Sequence, residues 1–307
     1  MKVLAIGVGG SKLMMSIVDE GGQLLEKVTL PLIAEGTKHL ILTTIKQGAE
    51  QLDISGIDAI GIAIPGLADV ENGMWVMASL TGISDFPIAE EVNKIFNVPV
   101  YIENDVNACA LAEKRFGSCK DINDYFWMTV STGIGGSLVL NGELYRGHSG
   151  HAGEIGHFII EERDGYPCGC GNIGCLDAHA AVPAIVRYYE TFSGNKLDDR
   201  TKQLGELARA GDRNASAAFE KAGYYIGKAL AYSVNIINPE AVVFGGGVME
   251  NDDLIMPTIK QVFNKYSLEQ ANKDLKIIKT GLGYNAPLLG AATVAIIGVE
   301  KRERNNQ

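Results

Sequence analysis

The chain opens on an apolar run from Val3 to Val8, turns at Gly9 and Gly10, resumes from Leu13 to Val18, and turns again at Asp19-Glu20-Gly21-Gly22 before Leu24 to Leu30. Short apolar runs separated by glycine-rich turns predict consecutive strands in hairpin connection. Helical spacing follows from Thr37 to Leu52. A buried strand is expected from Ile57 to Ile64, ending at Pro65-Gly66, and a shorter one from Val98 to Ile102. Asp105 to Arg115 has helical spacing after a polar Glu103-Asn104 entry.

The opening pattern then returns. Tyr125 to Val130 reads as a strand, Ser131 to Ser137 as a glycine loop, and Leu138 to Leu140 as a strand entering an Asn141-Gly142 turn. Gly7-Val8-Gly9-Gly10-Ser11 matches Gly133-Ile134-Gly135-Gly136-Ser137 position for position, which reads as a duplicated core, one copy per domain. Helices are expected at Ala180 to Phe192 and Arg213 to Asn235, a strand at Ala241 to Phe244 leading into Gly245-Gly246-Gly247, and an apolar helix at Gly290 to Val299 with a frayed tail from Glu300 to Gln307. Strands alternating with long helices indicate an α/β architecture. The polar, turn-rich stretch from Gly117 to Asp124 marks the boundary between an N-terminal domain, 1–117, and a C-terminal domain, 118–287. The closing helix, 288–307, is expected to pack back on the first.

At 307 residues the chain has room for two domains, and 46% apolar with 21% charged residues is ordinary globular usage. With 27 basic against 37 acidic residues the formal charge is −10, and no basic stripe interrupts it, so nucleic acid is not expected as a partner. No apolar stretch reaches membrane-spanning length and the N-terminus lacks the pattern of a signal peptide, which points to the cytoplasm.

Five cysteines include a close group, Cys168, Cys170 and Cys175, preceded by His157. Three thiolates and an imidazole make a closed tetrahedral shell, the arrangement of structural zinc rather than of an open catalytic site; unmetallated thiols are the alternative, and redox use lacks C-x-x-C spacing. Cys109 and Cys119 read as inert thiols. The glycine turns after strands suit either tight hairpins or the ringing of a phosphate by backbone N–H groups, and two matching turns favour the phosphate. Asp105 at a strand-to-helix junction suits an N-cap and, compatibly, a general base acting on a hydroxyl, with Asn104 beside it.

These motifs in this order, with Glu-Asn-Asp-Val-Asn, Ser-Thr-Gly-Ile-Gly-Gly, Gly-Glu-Ile-Gly-His, Cys-Gly-Cys-Gly-Asn-x-Gly-Cys and Gly-Gly-Gly, resemble the ROK family of bacterial sugar kinases and repressors from about Leu4 to Ala292. The resemblance implies an actin- and hexokinase-like fold of two ribonuclease-H-like domains around a central cleft, a homodimer, and ATP and Mg²⁺ acting on a hexose. It implies Asp105 as the base and Gly66, Asn104, Glu154, His157 and Asp177 around the sugar, with His157 shared with a structural Zn²⁺. It assigns Gly9, Gly10, Ser11 and Lys12 to one phosphate loop, Thr132, Gly133, Gly135 and Gly136 to the other, and Gly245, Gly246 and Gly247 to the adenosine segment. Repressors of the family carry a DNA-binding domain ahead of the first loop, and here that loop starts by residue 7. The expectation is therefore a glucokinase-like enzyme, with N-acetylmannosamine, fructose or β-glucoside kinases and a catalytically weak sensor as alternatives. Four places in the chain depart from the family pattern. Gly7 stands where an acidic residue near the magnesium is usual, Ser79-Leu80-Thr81 replaces Asn-Leu-Pro, Asp177 replaces a glutamate, and Ala181 replaces a serine.

Overall fold

A computed structural model describes residues 1–32, 37–78, 82–197 and 200–306, so Ser79-Leu80-Thr81 lie outside the described residues. In chain order the first elements are β1 (Lys2–Val8), β2 (Lys12–Asp19), β3 (Leu24–Pro31), α1 (Lys38–Ala49), β4 (Ala59–Ile64), β5 (Leu67–Asp69), β6 (Met74–Ala78), β7 (Ile83–Phe86), α2 (Ile88–Phe96), β8 (Val100–Asn104) and α3 (Asp105–Arg115). Then come β9 (Tyr125–Val130), β10 (Ile134–Leu140), β11 (Glu143–Tyr145), α4 (Leu176–Ala180), α5 (Val182–Ser193), α6 (Arg200–Arg209) and α7 (Arg213–Ile237). The chain closes with β12 (Ala241–Gly245), α8 (Asp252–Tyr266), α9 (Glu269–Asn272), β13 (Lys276–Lys279) and α10 (Ala286–Asn305).

The chain divides into two compact units, one of Met1–Asp121, Leu144–Ala152 and Gly281–Gln307, the other of Ile122–Glu143 and Gly153–Thr280. The first is built on a five-stranded sheet in the order β3-β2-β1-β4-β8, with β1 antiparallel to β2 and parallel to β4. Strand alternation sends successive side chains to opposite faces. Leu4, Ile6 and Val8 bury against Ile41 and Ile45 of α1 and against Trp75, Phe86 and Val92, whereas Val3 and Ala5 bury against α3 and α10. Small residues let α10 come close: a Cβ on Gly61 would lie 1.8 Å from the Ala291 carbonyl oxygen. A second, three-stranded sheet, β5-β6-β7, was not foreseen from the sequence, because strands of three to five residues are too short to display a period.

The second unit repeats the plan in the order β11-β10-β9-β12-β13, with β9 antiparallel to β10 and parallel to β12. Phe126, Met128 and Val130 of β9 face a helical layer that includes Leu176, Ile185, Phe219 and Ile259. Two ribonuclease-H-like units thus make up the α/β chain. The expected Asn141-Gly142 turn forms, with both residues at positive φ. No helix among the described residues is long and apolar enough to cross a membrane.

Two sequence expectations are corrected. The Gly-x-Gly-Gly-Ser repeat is out of phase with the structural one: Gly9, Gly10 and Ser11 form the turn between β1 and β2, but the matching turn is Ser131 to Gly133, and Gly135 and Gly136 lie inside β10 opposite Thr129 and Met128. The repeated letters record glycine demand in two different places. The tail from Glu300 to Asn305 is helical rather than frayed, because Arg115 pairs with Glu300 at 2.8 Å and Arg302 and Arg304 suit the negative end of the helix dipole.

Candidate functional site

Asp105 is the first residue of α3, and the N-cap is Asn104, not Asp105. The Asn104 Oδ1 accepts from the Val106 and Asn107 N–H groups at 2.9 and 3.1 Å, while its Nδ2 donates to the Gly66 carbonyl at 2.9 Å and to Asp105 Oδ1 at 3.3 Å. All four hydrogen-bonding positions of the Asn104 amide are therefore engaged within the protein. Gly66 sits at φ +80°, and a Cβ there would lie 2.2 Å from the Met77 carbonyl oxygen, so only glycine fits the turn that presents its own carbonyl to Asn104. Beneath this turn lies Glu103, only 2% exposed, paired with Arg146. Sequence reasoning missed both: Glu103 is part of the Glu-Asn-Asp motif, but its partner is 43 positions away.

The first glycine turn belongs to the same unit. Gly9 N–H donates to the Lys12 carbonyl at 2.9 Å, Ser11 accepts from Leu32 N–H at 2.9 Å, and the Lys12 ammonium lies 5.4 Å from the centre of the Tyr284 ring. A Cβ on Gly10 would meet nothing within 4 Å.

In the second unit, the Gly-Glu-Ile-Gly-His segment lies directly on β10. A Cβ on Gly153 would come within 2.1 Å of the Gly136 carbonyl oxygen, and one on Gly156 within 2.1 Å of that of Ile134. These contacts fix Glu154 and His157 at the end of a backbone-to-backbone packing. The same close approach explains Gly136, whose N–H donates to the Gly153 carbonyl at 3.0 Å and whose Cβ would strike the Phe126 ring at 2.6 Å. Gly245 likewise lies against the Trp127 indole, where a Cβ would be 1.6 Å away, and Gly246, at φ +92°, against the Val130 backbone; Gly247 opens a short 3₁₀ turn. The second turn is held at both ends, by Val182 N–H on the Ser131 carbonyl at 2.9 Å and by Asp177 Oδ1, which accepts from Ile134 N–H at 2.6 Å. Burial raises the Asp177 carboxyl above its ordinary value, and the Ile134 N–H opposes that shift.

His157, Cys168, Cys170 and Cys175 offer ligand atoms that all lie within 4.8 Å of one another. Cys168 Sγ is 3.7 Å from His157 Nδ1, and Cys170 Sγ is 3.6 Å from Cys175 Sγ. A tetrahedron with metal–sulfur distances near 2.3 Å has edges of about 3.8 Å, so the donor set fits a four-coordinate ion such as zinc. The loop folds for this purpose: Gly171 and Gly174 take positive φ, and Cys168 N–H bonds to the Asn172 carbonyl at 2.8 Å. Because Nδ1 faces the sulfurs, His157 Nε2 faces Glu154, 3.8 Å from Oε2. A carboxylate beside the far nitrogen is how metal-bound imidazoles are commonly oriented. The base of the loop rests on His179, another residue the sequence reasoning missed, whose Nε2 accepts from Tyr166 N–H at 3.0 Å. Cys109 and Cys119 are buried, and burial pushes the Cys109 thiol well above its usual value.

Comparison with known proteins follows the same lines. Residues 3–297 match the ROK family. A glucokinase of Halalkalibacterium halodurans is 30% identical over 325 residues, spanning 99% of this chain and 98% of that protein. A xylose repressor of Bacillus subtilis is 31% identical over 264 residues, spanning 85% of this chain and 67% of that one. The structure of a ROK family glucokinase from Streptomyces griseus, in complex with glucose and AMPPNP, superposes with a TM-score of 0.86 at 28% identity, covering 97% of this chain and all of that one.

Proposed function

The chain belongs to the ROK family, and on that premise we propose that it is an ATP-dependent sugar kinase, transferring the γ-phosphoryl group to a hexose hydroxyl, the 6-hydroxyl in a glucokinase-like reaction. The observation that carries this reading is the placement of Asp105 as the first residue of α3, directly after the Asn104 cap, with its Oδ1 oriented by the Asn104 side-chain amide at 3.3 Å and the Val106 N–H at 3.0 Å. Asp105 then serves as the base, taking the hydroxyl proton as the sugar oxygen attacks phosphorus in line. Glu154 and His157, both well exposed, hold other hydroxyls of the sugar.

Asn104, with its amide fully engaged, positions Asp105 and Gly66 in this reading. Asp177, drawn onto the Ile134 N–H, steadies the second phosphate turn and leaves the sugar to Glu154 and His157. The turns Gly9 to Lys12 and Ser131 to Gly133 offer backbone N–H groups, and Lys12 its ammonium, to the phosphates. Thr132 and Gly133 belong to that second site, whereas Gly135 and Gly136 build the strand behind it. Gly245 and Gly246 shape the adenosine segment by their packing, and Gly247 is the glycine that meets the nucleotide. Magnesium bound with ATP neutralises phosphate charge in reactions of this class. The His157, Cys168, Cys170 and Cys175 site holds structural zinc. The reading includes a cytoplasmic homodimer, for which light scattering on the purified protein is the direct check.

The test is mass spectrometric detection of sugar phosphate after incubation with Mg-ATP and a panel of hexoses, N-acetylhexosamines, fructose and β-glucosides. A product that disappears in Asp105→Asn establishes the class and names the acceptor. Gly7 favours a second reading, a sugar or nucleotide sensor with little turnover. Absence of product from every sugar, with sugar binding retained, would put that reading first.

A further inference from the structure

The proposed reaction leaves the buried Glu103 carboxylate and its partly exposed partner Arg146 without a part. Glu103, at 2% exposure, has every acceptor position of its carboxylate filled. Oε1 accepts from the Asn104 backbone N–H at 3.0 Å and from Asn107 Nδ2 at 3.2 Å, and Oε2 accepts from Arg146 Nε at 3.0 Å and from Nη2 of the same guanidinium. One carboxylate thus grips the residue before Asp105 and the residue two places after it, and a forked cation holds that carboxylate in place. The segment that delivers Arg146 is itself closed, with Ala152 N–H on the Arg146 carbonyl at 3.0 Å and Gly147 at φ +73°.

We propose that Arg146, acting through Glu103, is a positioning residue that fixes the direction of the Asp105 carboxylate. The inference rests on the kinase reading for its consequence, though not for its geometry. A buried carboxylate is a poor device for stability alone, because an apolar side chain of similar size serves as well or better, and here its partner Arg146 is itself partly exposed. Its particular property is direction: two N–H groups in a fixed plane set the carboxylate plane, and the carboxylate sets the Asn104 amide and the Asn107 side chain. Glu103 cannot itself be the base, since its oxygens are fully committed. A base misplaced by a fraction of an ångström loses rate while the nucleotide site, built on other residues, keeps its affinity.

The experiment compares Arg146→Met, Arg146→Lys and the double variant Glu103→Gln with Arg146→Met against wild type. Steady-state kinetics is run on the sugar that wild type phosphorylates, and hydrogen–deuterium exchange is followed in peptides from residues 100–110 and from α7. In Arg146→Met, kcat is expected to fall by up to about 100-fold with the KM for Mg-ATP changed less than about twofold, and Arg146→Lys, which keeps the charge but not the fork, to recover only part of the loss. Exchange at Val106 and Asn107 is expected to quicken while α7 is unchanged. The double variant, free of any unpaired buried charge, keeps the comparison open if the single one does not fold, and it too is expected to show the low kcat and quick exchange. Wild-type kcat in either Met variant, or exchange that is unchanged at residues 100–110 or quickened equally in α7, overturns the proposal. If wild type phosphorylates no sugar, the kinase reading fails on its own, and the exchange measurement still decides whether Arg146 holds the Asp105 turn.

Discussion

Gly7, the penultimate residue of β1, and Gly245, the last of β12, lie near the ends of central strands, yet their surroundings impose opposite demands. A Cβ on Gly7 would sit 3.5 Å from Pro287 Cβ and 3.8 Å from Met14 Cε, ordinary contact distances, so nothing in the packing requires glycine there. On Gly245 it would sit 1.6 Å from the Trp127 ring. Gly245→Ala is expected to cost about 1–3 kcal/mol in urea unfolding through overpacking. Gly7→Ala is expected to gain up to about 1 kcal/mol, since alanine loses less backbone entropy on folding. The same room makes Gly7→Asp an informative variant. A large gain in phosphoryl transfer with unchanged sugar affinity, read by coupled assay and calorimetry, would mark the wild type as a transferase short of one carboxylate. An unchanged rate would show that the reaction does not depend on an acid at that position.

Among the elements, the cysteine loop between β11 and α4 concentrates the most chemistry. Without an ion, burial and the neighbouring Cys170 and Cys168 push the Cys175 thiol up to about 12, and burial raises Cys168, while the Asn172 backbone N–H lowers Cys170. Metal binding at neutral pH must then expel thiol protons, those of Cys168 and Cys175 above all, and a pH indicator in weak buffer should register the release on zinc addition. Chelation, or Cys170→Ser, is expected to lower the melting temperature and, if the proposed sugar contacts of His157 and Glu154 hold, to weaken sugar binding more than ATP binding, because His157 is one of the four clustered donors and Glu154 lies beside it. Full sugar affinity in a folded, metal-free protein would separate the metal from the sugar site. His179, under the same loop, is held neutral with its proton on Nδ1, since Nε2 accepts the Tyr166 N–H and Nδ1 lies 3.1 Å from Tyr188 Oη. Burial and the Arg187 guanidinium depress its pKa below the ordinary 6.5. The unfolded chain therefore binds that proton more readily. The stabilisation is complete above about pH 6.5 and is lost as pH falls from there through the depressed value. Urea midpoints at pH 7.5 and 5.5 should fall further apart in wild type than in His179→Gln.

Across the whole molecule, the two units differ in how the chain builds them. The second is drawn from the middle of the chain, Ile122–Glu143 and Gly153–Thr280, whereas the first needs α10 from the far end of the chain to cover Val3, Ala5, Ala59 and Ala63. A chain ending at residue 280 is expected to keep the second unit and lose the first. The two tryptophans report on this separately, since Trp75 lies in one unit and Trp127 in the other, and both are buried. With Trp127→Phe in the shortened chain, emission should shift to the red; a buried, blue-shifted Trp75 would show that the first unit folds without α10.

The sequence by itself determined what is local. Apolar alternation placed β1, β2 and β9, and helical spacing from Thr37 placed α1, whose cap is Thr37, with Oγ1 accepting from Leu40 N–H at 3.2 Å. The His157, Cys168, Cys170 and Cys175 cluster was legible because its donors are close in sequence and their chemistry has few other uses. Tertiary structure alone decided what depends on a partner from elsewhere. It put Gly135 and Gly136 inside β10 rather than in the loop before it, with Phe126 and Gly153 pressed against Gly136. It gave the cap of α3 to Asn104 and tied Glu103 to Arg146. It also extended the last helix through Glu300, which Arg115 holds. The physical reason is common to these cases. Periodicity records which side of an element is buried, but the identity of what it is buried against is a property of the assembled chain.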